Sequence, residues 1–228
     1  MNLYFLLEDE KSFLKVLPLW FEYVQLGYTR VADIHDVKEN NYVLQSGQGV
    51  TQLVTKVLFD TIDTICQNPG KIDKLIVILD TEELEPDERR QQVYGKIQER
   101  YGEQEFEFDI IVLVCNHCFE TWLLGYRGLY PKEIDESDDF FEYYKNYNIE
   151  EEDPENMLPP DSVNETIAKY HFHYLHELLR HNKIRYSKNQ PKNIATKKYF
   201  DNIVERTDAT RHLGSFKDFY EFLNNIKI

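Results

Sequence analysis

The chain has 228 residues, of which 42% are hydrophobic and 14% aromatic, and its formal net charge is −15. This length and composition predict one domain with a sizeable core. The charge excludes a surface that attracts nucleic acid over its whole area, because an acidic surface repels polyanions within a Debye length of about 10 Å. A polyanion would have to bind at a local basic face or through metal ions.

The start of the chain and its cysteines indicate the compartment. Residues 1–7 are apolar, but no basic segment precedes them and Glu8 follows too soon for a secretion signal. No run approaches the ~20 apolar residues of a membrane helix. Cys66, Cys115 and Cys118 are expected to be free thiols, since their number is odd and no signal is seen. We predict a cytoplasmic protein that binds no membrane.

Apolar runs of strand length alternate along the chain with stretches of helical periodicity. Strands are predicted at 2–7, 30–37, 74–79 and 109–115. Helices are predicted at 11–26 and 50–65, from Pro86 onwards, at 166–181, and after Ser215, which has the position of an N-cap. This alternation predicts an α/β fold with a mostly parallel central sheet flanked by helices.

The composition changes between residues 131 and 163. Eleven acidic residues from Glu133 to Glu155 are mixed with aromatic residues such as Phe140 and Tyr144. We predict an acidic insertion or lid at 131–163 inside a single domain spanning 1–228, with a C-terminal helical part at 164–228. A docking element for a partner and a disordered loop both stay open.

Carboxylates follow the most apolar predicted strands. Glu8 and Glu10 follow the first strand, Asp80 and Glu82 the third, and Glu120 lies beyond the fourth. Functional groups collect outside the carboxyl ends of parallel strands, and Mg²⁺ or Mn²⁺ takes oxygen ligands there. In an extended continuation of the strand, Asp80 and Glu82 would point the same way. We predict a metal site at Glu8, Asp80 and Glu82, although each acid alone also fits a helix cap or a solvated group.

One basic stretch interrupts the acidic chain, because no acid occurs from Lys183 to Phe200. We predict a nucleic-acid-binding face there, with Tyr186 and Tyr199 available to stack on bases. A solvated basic loop is the alternative. The predicted contacts are Lys183, Arg185, Lys188, Lys192, Lys197 and Lys198.

Cysteine and histidine spacings raise two other hypotheses. The Cys115-x-x-Cys118 spacing suits a redox pair at a helix N-terminus, which would lower the thiol pKa. No second pair completes a structural zinc site, so buried packing thiols are favoured. His171 and His173 lie on different faces of the predicted helix, which favours helix-surface histidines over a metal site.

The order strand, Glu, helix and later strand ending in Asp-x-acid resembles the Toprim fold of topoisomerases, primases and OLD-type nucleases. Leu6-Leu-Glu-Asp-Glu-Lys-Ser-Phe13 resembles the Glu-Gly-x-Thr-Glu opening of RloB-like and related small Toprim-like proteins of bacterial defence loci. Asn116-His-Cys-Phe-Glu-Thr-Trp-Leu-Leu124 is similar to their Asn-x-x-Phe-Glu-x-Trp-Leu-Leu segment. The resemblance covers most of the chain except the acidic insertion.

This resemblance implies a nuclease that hydrolyses phosphodiester bonds in DNA or RNA with Mg²⁺ or Mn²⁺. Glu8 would be the general acid/base or metal-linked Glu, Asp80 and Glu82 would hold metal, and Lys188 would stabilise transition-state charge. The family further implies antiviral defence with an ATPase partner, and a homo-oligomer stays open. Additional site residues would be Glu10, Ser46 and Glu120.

The chain departs from the family pattern near its first acidic cluster and at its third strand. Asp9 stands where the pattern has Gly, one residue is missing before Glu10, and Glu82 replaces the second Asp. These departures favour an alternative, a catalytically silent acidic binding or inhibitor protein on the same fold. A metal-dependent phosphatase or nucleotide-processing enzyme is a third option.

Overall fold

The computed structural model describes residues 1–9 and 11–228. A five-stranded sheet in the order β2-β3-β1-β4-β5 lies at its centre. Every strand pairing in it is parallel, so the predicted α/β architecture is confirmed. The strands are β1 Leu3–Leu7, β2 Thr29–Arg30, β3 Asn41–Ser46, β4 Lys74–Asp80 and β5 Asp109–Cys115.

Helices connect the strands and form the C-terminal part of the chain. The α-helices are α1 Phe13–Tyr23, α2 Val50–Gln52, α3 Leu58–Cys66, α4 Pro86–Tyr101, α5 Phe119–Leu123, α6 Phe141–Asn146, α7 Ile167–His181, α8 Lys197–Ala209 and α9 Gly214–Ile226. Leu53–Val57 is a π-helical turn, and Ile34–Asp36, Arg127–Leu129 and Pro154–Asn156 are 3₁₀ turns. Within the described residues, none of the helices has the length and apolar character needed to cross a bilayer.

The sheet separates two apolar cores, as the alternation of side chains along β1 requires. Leu3, Phe5 and Leu7 face a core shared with α1, α5 and the three C-terminal helices α7, α8 and α9. Tyr4 and Leu6 face the opposite core, which is shared with α3 and α4. Burial on both faces explains why β1 is a continuous apolar run.

The strand predicted at 30–37 is wrong. Only Thr29–Arg30 pairs there, and the following Ile34–Asp36 turn begins where the Asp33 side chain accepts the N–H of His35. The longer strand is Asn41–Ser46, which is not among the strands predicted from the sequence. Its polar first residue is satisfied, since the Asn41 N–H donates to the Asn2 side chain at 3.0 Å. Pairing of β3 with β1 on one side and β2 on the other therefore outweighs the local turn signal.

The N-cap predicted for the last helix, α9, is wrong. Helix α9 begins at Gly214, and its N-cap is Leu213 in the left-handed region at φ 57°. The predicted N-cap, Ser215, is buried inside the first turn, where its Oγ accepts hydrogen bonds from Trp122 Nε1 at 2.7 Å and from the Asn116 N–H at 3.0 Å. Its hydroxyl makes tertiary contacts instead of a cap. Helix α8 was not predicted, because basic residues obscure its apolar stripe.

The acidic segment at 131–163 is packed into the domain. Phe140, Ile149 and Met157 are each 0% exposed and belong to the larger core. The Tyr174 hydroxyl of α7 donates to the Tyr147 carbonyl at 2.6 Å. The aromatic residues of this segment therefore anchor it, while acids such as Glu133 and Glu136 are exposed, and a disordered loop does not describe it.

We expect Phe140→Ala to lower the free energy of unfolding by about 3–5 kcal/mol, because it removes a fully buried ring and leaves a cavity. Leu158→Ala is the matched control in the same segment, since Leu158 is 58% exposed. The control should change stability by no more than about 0.5 kcal/mol. Urea denaturation measures both. Equal, small effects of the two substitutions would contradict packing of the segment.

Candidate active site at the carboxyl edge of the sheet

Glu8 and Asp80 meet at the ends of two adjacent strands. Leu7 of β1 is in register with Ile78 of β4, and the Glu8 N–H extends the ladder by donating to the Ile78 carbonyl at 2.9 Å. The Glu8 carboxylate then accepts the Asp80 N–H, with Oε2 2.8 Å from the nitrogen. The predicted proximity of these two acids is confirmed, and their chemical role stays a prediction.

Both carboxyl groups are held in surroundings that disfavour their ionised forms. Burial raises the pKa of Asp80 well above its ordinary value, and the charges of Glu8 and Glu120 raise it further against the opposing charge of Lys188. Burial likewise raises the pKa of Glu8, although the hydrogen bond from Asp80 lowers it in part. Simultaneous ionisation of Glu8 and Asp80 is therefore disfavoured at this edge of the sheet.

A buried ion pair lies beside Asp80. Glu120, at the start of α5, is 1% exposed, and its Oε1 is 3.2 Å from Lys188 Nζ and 3.1 Å from the Tyr186 hydroxyl that donates to it. Burial opposes the charge of Lys188, but the neighbouring Glu120 outweighs it and the pKa of Lys188 is raised. The lysine side chain stays 44% exposed, so its charged end reaches both the site and solvent.

Glu82 does not continue the strand as predicted. Its φ is 56°, so the chain turns immediately after β4, and the extended geometry that would pair Glu82 with Asp80 is wrong. Its Oε2 lies 3.4 Å from Nη2 of Arg89, whose guanidinium also donates to the Thr81 carbonyl at 2.9 Å. Arg89 is a site residue that the sequence interpretation missed. Its place one turn before Val93 on the buried stripe of α4 was the available signal.

The carboxylates therefore form separate pairings and not one cage. Among residues 1–9 and 11–228, no group of three or more His, Cys, Asp or Glu side chains is arranged to hold a metal ion. Glu82 is engaged by Arg89 and Glu120 by Lys188, which leaves Glu8 and Asp80 at the shared edge. Mg²⁺ commonly binds one or two carboxylates together with waters and substrate phosphates, and this pair fits that kind of site.

The remaining predicted residues near β1 have local structural contacts. Asp9, the departure from the family glycine, accepts the N–H groups of Lys11 at 2.6 Å and Phe13 at 3.0 Å, and so caps the start of α1. Ser46 is in register with Leu7, and its hydroxyl accepts the Gln48 N–H at 3.2 Å. Glu10 lies outside the described residues.

The basic stretch is divided by the fold. Tyr186 and Tyr199 are both buried, and their hydroxyls donate to Glu120 and to the Leu123 carbonyl, so their predicted stacking role is wrong. Lys197 pairs with Asp201 one turn along α8. Lys192 and Lys198 are exposed, whereas Lys183 and Arg185 line a groove together.

The cysteines do not support redox chemistry. Cys115 and Cys118 are buried free thiols, and burial raises the pKa of both well above the ordinary value. The expectation of packing thiols is therefore confirmed, and a lowered pKa at a helix N-terminus is wrong.

The histidines of α7 occupy two environments. His171 is 0% exposed, with its ring nitrogens 2.8 Å from Thr121 Oγ1 and 2.8 Å from the Met157 carbonyl. Burial lowers its pKa to about 3, so the surface prediction is wrong for His171. His173 and His176 are partly exposed and pair with glutamates, as expected for a helix surface.

A further carboxylate, Glu155, ties the acidic segment to this edge of the sheet. Its Oε1 accepts the Ser215 N–H at 3.0 Å and the Ser215 hydroxyl. The ring nitrogens of His117 lie 3.1 Å from the Glu82 carbonyl and 3.0 Å from the Glu155 carbonyl. Burial raises the pKa of Glu155 to about 7, even though the Ser215 hydrogen bond opposes that rise.

Comparison with known proteins adds nothing to this description: no protein-family model, curated protein or solved structure matches the chain.

Glu155 makes stability depend on pH. Because its pKa rises from 4.5 to about 7 on folding, its contribution to stability is complete below pH 4.5 and is lost as the pH rises through 7. Glu155→Gln removes this titration, so the melting temperature of the variant relative to the wild type should increase between pH 5 and pH 8. Thermal denaturation across that range measures it, with exposed Glu136→Gln as control. A Glu155→Gln difference that stays constant with pH would contradict the assignment.

Proposed function

We propose that this protein is a Toprim-like, metal-dependent nuclease that hydrolyses phosphodiester bonds. The observation that carries the proposal is the contact between the Glu8 carboxylate and Asp80 at the carboxyl edge of a parallel sheet. Ligands and catalytic groups are typically held at this edge in open α/β sheets. The motifs that resemble the Toprim-like family supply the same two residues independently.

Glu8 and Asp80 are the residues that would hold Mg²⁺ or Mn²⁺. Their raised pKa values mean that the pair does not readily carry two negative charges alone, so a divalent cation would relieve the repulsion and displace any retained proton. The bound cation would supply Lewis-acid stabilisation of charge on the phosphate. Because one or two carboxylates suffice for Mg²⁺ beside a phosphate, Glu82 is not required as a direct ligand.

Lys188 is the residue that would stabilise negative charge on the phosphate from the protein side. Glu120 holds its ammonium group 3.2 Å away and keeps it protonated, and Tyr186 fixes Glu120 in turn. Glu120 and Tyr186 are thus positioning residues for Lys188. A charge placed in advance near the reacting phosphate costs little reorganisation during the reaction.

The family resemblance also supports an ATPase partner in antiviral defence. The segment at 131–163 has a packed aromatic side and exposed acids such as Glu133 and Glu136. Those acids offer a rigid, charged surface that a basic patch of a partner would recognise.

Hydrolysis assays test the proposal with isosteric variants. With Mn²⁺, Asp80→Asn and Glu8→Gln should each lower kcat/KM on DNA, RNA or bis(p-nitrophenyl) phosphate by about 100-fold or more. Without added metal, both variants should melt at or above the wild-type temperature, because each removes a carboxyl group whose ionisation is disfavoured in the fold. Asp60→Asn, at an exposed position on α3, is the matched control and should keep full activity.

Undiminished hydrolysis by both site variants would contradict the proposal. The silent acidic binding protein is the second candidate, and it is favoured by the engagement of Glu82 and Glu120 with internal cations. It predicts neither hydrolysis nor a rise in melting temperature with Mn²⁺, since only a ligand that binds the folded state stabilises it.

A further inference from the structure

A basic groove lies next to the candidate site. It has a volume of about 440 Å³ and is lined by His176, Arg180, Lys183, Ile184, Arg185 and Tyr186. Basic side chains form most of this lining, and among the described residues no carboxylate takes part in it. In a chain of net charge −15, such a groove is a local exception to the general repulsion of polyanions.

Side-chain contacts link the groove lining to Lys188 by two routes. Tyr186 lines the groove, and its hydroxyl donates to Glu120, the partner of Lys188. On the other side, the rings of His176 and Phe172 lie 6.2 Å apart, and Lys188 Nζ is 5.3 Å from the centre of the Phe172 ring. Lys188 is therefore separated from the groove lining by one side chain on each route, Glu120 on one and Phe172 on the other.

The cations of the groove differ in how much of their charge is free. Arg180 forms ion pairs with Asp139 and Glu177. Across the described part of the chain, neither Lys183 nor Arg185 forms an ion pair, and both are exposed. These two side chains are thus the groove cations with charge available to an incoming phosphate.

An acidic groove adjoins the basic groove and shares Arg180 and Lys183 with it. Its lining includes Asp135, Asp138 and Asp139. A polyanion in the basic groove would be repelled on that side and would extend past Tyr186 toward Lys188.

We propose that the basic groove binds phosphates of a single-stranded nucleic acid next to the bond that is cleaved. The inference rests on the proposed function and names its substrate class. The groove volume suits one or two nucleotides of a single chain, and its unpaired cations complement successive phosphates. In this arrangement Lys183 and Arg185 are the residues that bind the phosphates of the single strand.

Binding of short fluorescent oligonucleotides tests the inference, with Ca²⁺ in place of Mn²⁺ to slow hydrolysis. Lys183→Gln/Arg185→Gln should weaken single-strand binding by about tenfold or more, since charged hydrogen bonds are lost. The slope of log affinity against log salt concentration should fall by about 1.4, as expected for two phosphate contacts of a single strand.

Lys197→Gln/Lys198→Gln is the matched control because it removes two charges from α8. The start of α8 lies near the C-terminal end of α1, where the Tyr23 hydroxyl donates to the Ala195 carbonyl at 2.7 Å. The control should bind like the wild type. Equal weakening of binding by both double variants would overturn the inference. Tighter binding of duplex than of single strands would also overturn it, as would unchanged single-strand binding by Lys183→Gln/Arg185→Gln, even if that variant melts at a lower temperature.

Failure of the proposed function gives a different result. In that case the wild type would not hydrolyse bis(p-nitrophenyl) phosphate with Mn²⁺, whereas oligonucleotide binding would still depend on Lys183 and Arg185. If the wild type itself did not bind single-stranded oligonucleotides, the groove assignment would be wrong.

Discussion

One hydrogen bond fixes the geometry of the candidate site: the Asp80 N–H donates to the carboxylate of Glu8. It joins the ends of β1 and β4 just past their last ladder contacts, so the two acids are set by the sheet and not by mobile loops. The loop after β3 closes over the same point, where the Gly49 N–H donates to the Glu8 carbonyl at 3.0 Å. A functional group held on regular elements keeps its position more accurately than one held on a loop.

This placement brings several acidic side chains to one edge of the sheet, and cations of the protein pair with two of them, Glu82 and Glu120. Arg89 engages Glu82 on one side and Lys188 engages Glu120 on the other, and each cation is itself partly or fully buried. In the described part of the chain neither Glu8 nor Asp80 forms an ion pair, and burial raises the pKa of both. A divalent ion would supply the missing positive charge, which connects the electrostatics of the fold to the proposed chemistry.

The sequence predicted the features that depend on long apolar runs. β1, β4 and β5 were identified because strands buried on both faces are continuous in sequence, and the acids after β1 and β4 followed from them. It did not predict contacts set by tertiary structure. β3 begins with Asn41, whose N–H is satisfied by the side chain of Asn2. Glu82 adopts a left-handed backbone conformation that turns the chain away from the extended path. The Tyr186 hydroxyl forms a hydrogen bond with Glu120, which is distant in the sequence. Arg89 was overlooked because a charged residue in a helical stripe is counted as solvent-exposed by default.

A crystal of the wild-type protein soaked in Mn²⁺ tests the central claim most directly, since manganese gives an anomalous signal that locates the ion independently of assumed chemistry. We expect one anomalous peak at the carboxyl edge of the sheet, from a manganese ion coordinated by oxygen atoms of Glu8 and Asp80. The peak should be absent in Asp80→Asn. Ordered side chains with no peak at these residues, or a peak held by other carboxylates elsewhere on the acidic surface, would contradict it.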